Sequence, residues 1–372
     1  MLLIMLVLSS SISDCVRRIR TNEYFRRYCE ILLRVRNKLL VLLVVLVLSL
    51  LLFWAAQVAG KTLWEWLELL FIPLELLLLA VGYYWARKAD RNNMLDKERQ
   101  DTLEKFFDRM TALLLDHRVH EFKESSEIRS VAQAATLSTL RNLDGQRKGE
   151  VLQFLHQSGL ISCENSVIKL NGADLKEARL KQAELEGADL KQAELERADL
   201  TCANLMEANL EGANLKEAYL EGAHLHGAHI EKAYMTWAHM NGAYLCRAHL
   251  DAANLNGADL NGADLSEAHL ENAILRWTKL KEADLRQADL KYANLTRAKL
   301  KKANLRQADL TKAIVTPKQL LAAALIEDAI MPDGTKYKKW VARGKPDWSR
   351  RVGEPQIAGE PGKNGSETQD EP

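Results

Sequence analysis

The chain has 372 residues, enough for two or three domains, and this length excludes a small scaffold held together by disulfide bonds. Its 51 Lys and Arg residues balance 50 Asp and Glu residues, so the formal charge of +1 argues against a dedicated nucleic-acid-binding protein, which needs a basic excess. The five cysteines are odd in number and show no CxxC spacing. They therefore predict neither a zinc site nor a disulfide framework, and a reducing compartment is the simplest interpretation.

After a basic segment at 1–38, the segment 39–60 is long enough to cross a bilayer. Its 22 residues carry no charge, and at ~1.5 Å of rise per residue a helix of this length spans the roughly 30 Å hydrocarbon layer. A second apolar stretch at 63–86 has aromatic residues near both ends. Basic residues lie before the first stretch and after the second, with only Lys61 between them. The sequence thus predicts a transmembrane helical hairpin at 39–86, in the plasma membrane or another internal membrane, with both termini and the repeat domain cytoplasmic.

Glu75 falls near the middle of the second predicted span. A charge in the hydrocarbon layer costs at least ~2.5–3.5 kcal/mol, so an ionisable residue there is a candidate for a sensing or transport function. The alternative is a protonated or oligomer-buried carboxyl beside the kink expected at Pro73. The first span offers no basic partner, which favours this structural alternative.

Three helical patterns at 87–168 predict a helical connector. The first runs from 86 to 122 and repeats apolar residues at steps of three and four, as on one face of an amphipathic helix. The other two, at 130–143 and 146–157, are separated by the turn signal Asp144-Gly145. The hairpin or the connector could also mediate self-association of the chain.

A five-residue repeat occupies 169–315 and decides the fold. Every fifth residue from Leu170 to Val315 is apolar, 26 of these 30 being Leu, and the residue two before it is Ala at 28 of 29 positions, with Thr278 as the exception. A helix would spread the Leu row around its surface, and a flat strand would send successive Leu residues to opposite faces. The pattern therefore predicts a chain that turns a corner every five residues, with Leu and Ala facing one axis. All eight glycines of the tract fall two residues after a Leu, where a turn favours positive φ.

The segments ADLNGADL, ANLEGANL and ADLRQADL show this repeat most clearly, and they resemble the pentapeptide-repeat family, A(D/N)LXX. The resemblance implies a right-handed quadrilateral β-helix, a β-solenoid with about four repeats per coil, in which residues 20 apart stack about 4.8 Å from each other. The segment STLRNLDGQRKGEVLQFL at 138–155 is similar to membrane-anchored members of this family that are abundant in cyanobacteria. The expected fold class is α + β: an N-terminal transmembrane helical hairpin, a helical connector, the β-helix and a C-terminal capping helix.

The segment 316–342 is predicted to form that capping helix and a turn. Thr316, Pro317 and Gln319 match a capping box with proline at the first helical position, and the helix is expected to run for about ten residues, through Glu327. A helix there would cover the exposed edge of the last coil. At 343–372, Pro, Gly and charged residues predict a disordered tail.

Two kinds of surface residue are candidates for a site on the β-helix. Exposed aromatic residues can anchor a protein partner, and the predicted contact residues are Tyr219, His229, Tyr234, Trp237, Tyr244, His249 and Trp277. His229, His249 and His269 form a ladder at 20-residue spacing within the same part of the tract. Stacked imidazoles point in parallel and do not converge as tetrahedral ligands must, so no metal site is predicted. The alternative is an outward polar position at which Asp, Asn, His and Tyr substitute for one another.

These features predict a membrane-tethered, non-enzymatic scaffold whose β-helix binds a protein partner of unknown identity, without a cofactor and without nucleic acid. Leu and Ala fill the axis and leave no pocket, and no nucleophile, base and orienting group occur together. One alternative is a DNA-mimic regulator of a type II topoisomerase, because 170–275 holds 18 acidic against 8 basic residues. The basic excess at 276–315, 11 against 4, argues against mimicry. The other alternative is a membrane sensing or transport element that uses Glu75.

Overall fold

The computed structural model describes residues 63–116, 126–161 and 167–344, with the side chains of the first helix from Val81 onward. The chain divides into two compact units, at 1–94 and 95–372. Five helices lie in the described residues: α1 (Leu63–Asp116), α2 (Ser126–Asn142), α3 (Gly145–Gln157), α4 (Pro317–Leu320) and α5 (Tyr337–Ala342). Between α3 and α4 the chain forms a β-helix of parallel bridges.

The described part of the first unit is the N-terminal part of α1. Tyr83, Tyr84 and Trp85, the aromatic residues that end the second predicted span, are exposed there. The first predicted span, 39–60, lies outside the described residues, and so do the side chain of Glu75 and the others of the second span before Val81. Among the residues whose placement is described, no helix has both the length and the apolar character that crossing a membrane requires.

In the second unit, the part of α1 from Leu95 onward packs with α2 and α3, in the region where the connector is predicted. The apolar face of α1 packs against α3: the ring centroids of Phe106 and Phe107 lie 6.3 and 5.0 Å from that of Phe154. Asp144, in the turn predicted between α2 and α3, caps α3, because its side chain accepts hydrogen bonds from the Gln146 and Arg147 backbone N–H groups. The connector thereby continues into a single apolar core with the β-helix.

The β-helix has the Leu and Ala rows facing inward, as the repeat predicts. All thirty residues from Leu170 to Val315 at the fifth position are at most 4% exposed. From Asp174 to Asn294, each outward residue before a Leu pairs in parallel with the residue 20 positions later, as in His229 with His249, so four pentads make one coil. Thr278, the exception in the Ala row, is fully buried and donates its hydroxyl hydrogen bond to the Leu255 carbonyl oxygen.

The corners are four-residue turns closed by a hydrogen bond from the Ala N–H to the preceding Leu carbonyl oxygen, as from Ala173 to Leu170 at 3.0 Å. The residue two after each Leu, here called the turn residue, has positive φ whether or not it is glycine, as a type II turn requires. Gly172 has φ of 64° and Trp237 has φ of 60°. The expectation of positive φ is confirmed, but glycine is not needed, because hydrogen bonds to the next coil hold other residues in this conformation.

The C-terminal end differs from the prediction. The capping box of Thr316 and Gln319 is present, but the helix that it starts, α4, has four residues rather than about ten. The chain after it forms part of a further coil, because Leu325 pairs with Asn304 and Ile330 pairs with Asp309. The predicted helix through Glu327 is therefore wrong: this backbone satisfies its hydrogen bonds on the last coil instead of within a helix. The short helix α5 follows and places Trp340 in the core, fully buried.

At the N-terminal end, α3 lies against the first coil. The Arg179 N–H donates a 2.7 Å hydrogen bond to the Gly145 carbonyl oxygen, so the helix covers an edge of the coil. Lys148, which is 4% exposed, places its Nζ 3.0 Å from Asp174 Oδ1. Burial raises the pKa of the Asp174 carboxyl, but hydrogen bonds from Lys148 and from the Lys176 N–H outweigh this effect and the pKa is lowered. Asp174 is therefore the charged partner that the buried ammonium needs.

Candidate interaction surface

The residue before each Leu, here called the pre-Leu residue, decides how the corner is completed. Fourteen pentads have Asp or Asn at this position, and in all of them a side-chain oxygen accepts a hydrogen bond from the backbone N–H two residues later. Asp264, for example, accepts from the Ser266 N–H at 3.0 Å. This local bond explains the Asp and Asn of the repeat, since these side chains satisfy the backbone of a turn.

Seven consecutive pentads lack this bond because their pre-Leu residue is Tyr or His. We call these residues the aromatic belt, and they are Tyr219, His224, His229, Tyr234, His239, Tyr244 and His249. Because four pentads make one coil, seven of them pass all four faces and nearly complete a second circuit. Four of the seven side chains are exposed and the other three are half-buried. The belt therefore presents aromatic side chains on every face of the β-helix at one level along its axis.

The rings of the belt stack across neighbouring coils. Tyr219 and His239 have ring centroids 5.0 Å apart, His224 and Tyr244 4.9 Å, and His229 and His249 4.8 Å. The interplanar angles of these pairs are 9°, 23° and 8°, so the rings are nearly parallel. The predicted 20-residue register is thus confirmed in this part of the tract. Stacking offsets part of the lost turn hydrogen bonds, since an aromatic pair contributes ~0.5–1.5 kcal/mol.

Two tryptophans at turn positions lie beside the belt. Trp237 is 41% exposed and lies over Gly257 of the next coil, where a Cβ atom would come within 2.6 Å of Trp237 Cε3. Trp277, 47% exposed, lies on the same face, and the Arg297 guanidinium is 4.3 Å from its ring centroid. This arrangement gives a rigid aromatic surface, because Trp237 lies against the backbone of Gly257 and Trp277 is held by a cation–π contact.

The structure places all seven predicted contact residues on the outer surface of the β-helix, distributed over its four faces. Tyr219, Tyr234, Tyr244, His229 and His249 belong to the aromatic belt, and Trp237 and Trp277 share one turn column. His224 and His239 were not among the predicted contact residues, although their pre-Leu position could have revealed them. Arg297 was not predicted either, although its 20-residue separation from Trp277 places the two side chains in one column.

Tyr234 allows a test of whether the belt is kept at the expense of stability. Its ring is 58% exposed, and an Asn at this position is expected to accept a hydrogen bond from the Thr236 N–H, as Asn254 does from Asn256 one coil later. Tyr234→Asn should therefore raise the free energy of unfolding by about 0.5–1 kcal/mol, measured by chemical denaturation. The control Asn254→Tyr should lower it by a similar amount, and a loss of stability in Tyr234→Asn would contradict the interpretation.

The geometry thus defines a solenoid repeat protein whose outer surface is available for contacts. The family model for pentapeptide repeats matches in eight copies, over 168–201, 203–242, 238–276 and 278–316. The chain belongs to the pentapeptide-repeat family, and its fold is the right-handed quadrilateral β-helix of that family. No curated protein gives a significant match.

Several solved structures are similar to the repeat tract. HetL of the cyanobacterium Nostoc sp. strain PCC 7120, a pentapeptide repeat protein involved in regulating heterocyst differentiation, is 32% identical over 45% of this chain and 87% of its own, with a TM-score of 0.30. A pentapeptide repeat protein of the Arabidopsis thaliana thylakoid lumen is 24% identical over 33% of this chain and 87% of its own, with a TM-score of 0.26. Trypsin-treated QnrB1, a plasmid-mediated fluoroquinolone resistance protein, is 19% identical over 48% and 82%, with a TM-score of 0.33.

Proposed function

We propose that this protein is a non-enzymatic scaffold that binds a protein partner through the aromatic belt and the adjoining Trp237 and Trp277. The observation that carries the proposal is the belt itself: seven consecutive pentads replace the Asp or Asn that completes a corner with Tyr or His. Tyrosine and tryptophan supply large contact areas with few rotatable bonds, and they are enriched among the residues that dominate binding energy. The flat, regular faces of the β-helix hold them in fixed positions.

The distribution of charge along the tract supports a protein partner whose surface carries charges of both signs, rather than nucleic acid. Ion pairs between coils neutralise many surface charges, such as Lys191 with Glu211 at 2.6 Å and Lys279 with Asp259 at 2.7 Å. The acidic excess before 276 favours, as a second candidate, mimicry of DNA toward a type II topoisomerase. The membrane tether remains a prediction from the sequence at 39–86, and with it the cytoplasmic placement of the repeat domain.

Replacing Trp237 by alanine is expected to weaken capture of the partner by the full chain, since removal of a central tryptophan costs about 2 kcal/mol or more, over tenfold in affinity. The measurement is affinity capture from the native cell extract, with quantitative mass spectrometry of proteins retained by the unmodified chain. Tyr292→Ala is a matched control, because Tyr292 is an exposed aromatic turn residue, 44% exposed, outside the belt.

A protein lost from Trp237→Ala and retained by Tyr292→Ala would be the scaffold's partner. Retention of every captured protein by Trp237→Ala and by Tyr234→Ala would contradict the proposal. Topoisomerase subunits among the captured proteins, unaffected by both belt variants, would instead favour DNA mimicry by the acidic coils.

A further inference from the structure

We propose that the column of His229, His249 and His269, together with the neighbouring carboxylates Glu231 and Asp251, binds one divalent transition-metal ion of the class that prefers imidazole ligands, such as Zn²⁺. This proposal does not depend on the partner-binding function. It concerns one edge of the β-helix, where two columns of side chains run side by side along successive coils.

The ligand atoms of this edge are already close together. One set is His229, Glu231 and His249, and the other is His249, Asp251 and His269; in each, the ligand nitrogen and oxygen atoms lie within 4.8 Å of one another. The His229 Nδ1 atom is 3.2 Å from Glu231 Oε1. Two imidazoles and one carboxylate are a donor set found in zinc sites that keep a further position for water.

The two columns have a simple origin in the repeat. The histidines are pre-Leu residues, and the carboxylates are the residues directly after the Leu, two positions later on the same coil. The carboxylate column continues to Glu271, so three successive coils each offer one imidazole and one carboxylate. One imidazole and one carboxylate thus recur on each coil, every 20 residues. Two neighbouring coils together supply the three ligands of a set.

Basic residues at the ends of this edge are engaged elsewhere. Lys191 forms an ion pair with Glu211 at 2.6 Å, and Lys291 forms one with Asp289 at 2.7 Å. The Lys232 Nζ atom lies 3.8 Å from Glu211 Oε1. Among the described residues, Lys232 forms no ion pair with Glu231 or Asp251. The edge is therefore net acidic when the histidines are neutral, which favours a cation.

The parallel imidazole rings argue against a metal site unless at least one ring rotates so that the ligand atoms converge. The ligand atoms of each set lie within 4.8 Å of one another, whereas two nitrogens at about 2.05 Å from one tetrahedral zinc ion lie roughly 3.3 Å apart. Rotation of one ring about χ2 can close this gap, because that torsion has a broad energy well. The His229 side chain is 52% exposed, so no packed neighbour opposes the rotation on its solvent side.

The shared histidine fixes the expected stoichiometry. His249 belongs to both sets, and a neutral imidazole has a single acceptor nitrogen. Occupation of one set therefore withdraws His249 from the other, and the chain should bind one ion rather than two. Removing His249 disables both sets, whereas removing His229 or His269 leaves one of them.

Titration of the full chain with ZnCl₂ by calorimetry, and with CoCl₂ by visible absorption, tests the site directly. We expect one ion per chain, and a loss of affinity of about 100-fold or more in His249→Ala against less than about tenfold in His229→Ala or His269→Ala. The matched control is His239→Ala, since His239 stacks on Tyr219 and Asn241 occupies the carboxylate position of its coil. It should bind the ion as the unmodified chain does.

A double variant separates lost ligands from lost structure. Glu231→Gln with Asp251→Asn keeps the stacked rings but removes both carboxylates, so its circular dichroism and melting temperature should be unchanged while the affinity falls about tenfold or more. The proposal is overturned if the unmodified chain binds neither ion at micromolar concentration. It is overturned equally if His239→Ala weakens binding as much as His249→Ala, or if the double variant binds normally.

Discussion

Replacing Leu220 by alanine is expected to lower the free energy of unfolding of the β-helix by about 3–5 kcal/mol. Leu220 is fully buried on the axis near the middle of the tract, so the substitution removes apolar contacts and leaves a cavity. The backbone cannot collapse into the space, because the Leu220 N–H donates to the His239 carbonyl oxygen and the Tyr219 N–H donates to the Ala198 carbonyl oxygen. These bonds fix the coil from both sides.

Chemical denaturation followed by far-ultraviolet circular dichroism measures this effect. Leu321→Ala is a suitable control, since Leu321 is 50% exposed in the turn after α4 and should lose less than about 1 kcal/mol. A loss below about 1 kcal/mol in Leu220→Ala would show that the axis is not the packed core described here. Larger apolar residues in the inward-facing Ala row should also destabilise the coil by overpacking, whereas Thr278 is accommodated there with its hydroxyl bonded to the Leu255 carbonyl oxygen.

Replacing Gly145 by alanine is expected to destabilise the joint between the connector and the β-helix by about 2–3 kcal/mol. In a helix interior alanine is more stable than glycine by roughly 1 kcal/mol, whereas at Gly145, the first residue of α3, we expect the opposite sign. A Cβ atom at Gly145 would lie 1.9 Å from the Glu177 carbonyl oxygen and 2.8 Å from the Glu177 carbonyl carbon. These are backbone atoms of the first coil and cannot move aside without breaking its turn.

The effect of Gly145→Ala on the contact between α3 and the first coil can be measured at a single backbone amide. The Arg179 N–H donates to the Gly145 carbonyl oxygen, so hydrogen exchange at Arg179 should become faster in Gly145→Ala than in the unmodified chain. Gly82→Ala is the control, because Gly82 lies in α1 with no atom within 4 Å of the added Cβ and should not lose stability. Unchanged exchange at Arg179 together with an unchanged melting temperature would contradict the role assigned to Gly145.

The repeat tract could be predicted from the sequence because its pattern admits few structures. Leu at every fifth position and Ala two residues earlier exclude a helix and a flat strand, and the inward rows and the positive φ of the turn residues follow. The 20-residue stack is what the resemblance to the pentapeptide-repeat family implies. The C-terminal end could not be predicted as well, because a capping box at Thr316 starts a helix without fixing its length. Pairing of Leu325 and Ile330 with the last coil, a tertiary effect, ends it early.

For the candidate surface, the positions of the residues could be predicted from the sequence, but the distances between their side-chain atoms could not. Tyr and His at the pre-Leu position face outward by the same rule that turns Leu inward, so the belt could be located from the sequence. The distances between ligand atoms could not, because they depend on side-chain rotamers at the edge that carries His229 and Glu231. Likewise, the close approach of Gly145 to the first coil depends on how α3 docks, and no local pattern encodes that position.

The period of four pentads per coil also restricts how this gene can change length. Removing or duplicating one pentad rotates all later residues about the axis by one face of the coil. If 240–244 were deleted, Asn254 would pair with His229 in place of His249. Only a change of 20 residues keeps each ladder aligned with itself. Lengthening by smaller steps preserves the interior but rearranges the exterior, so new surfaces can arise from an unaltered framework.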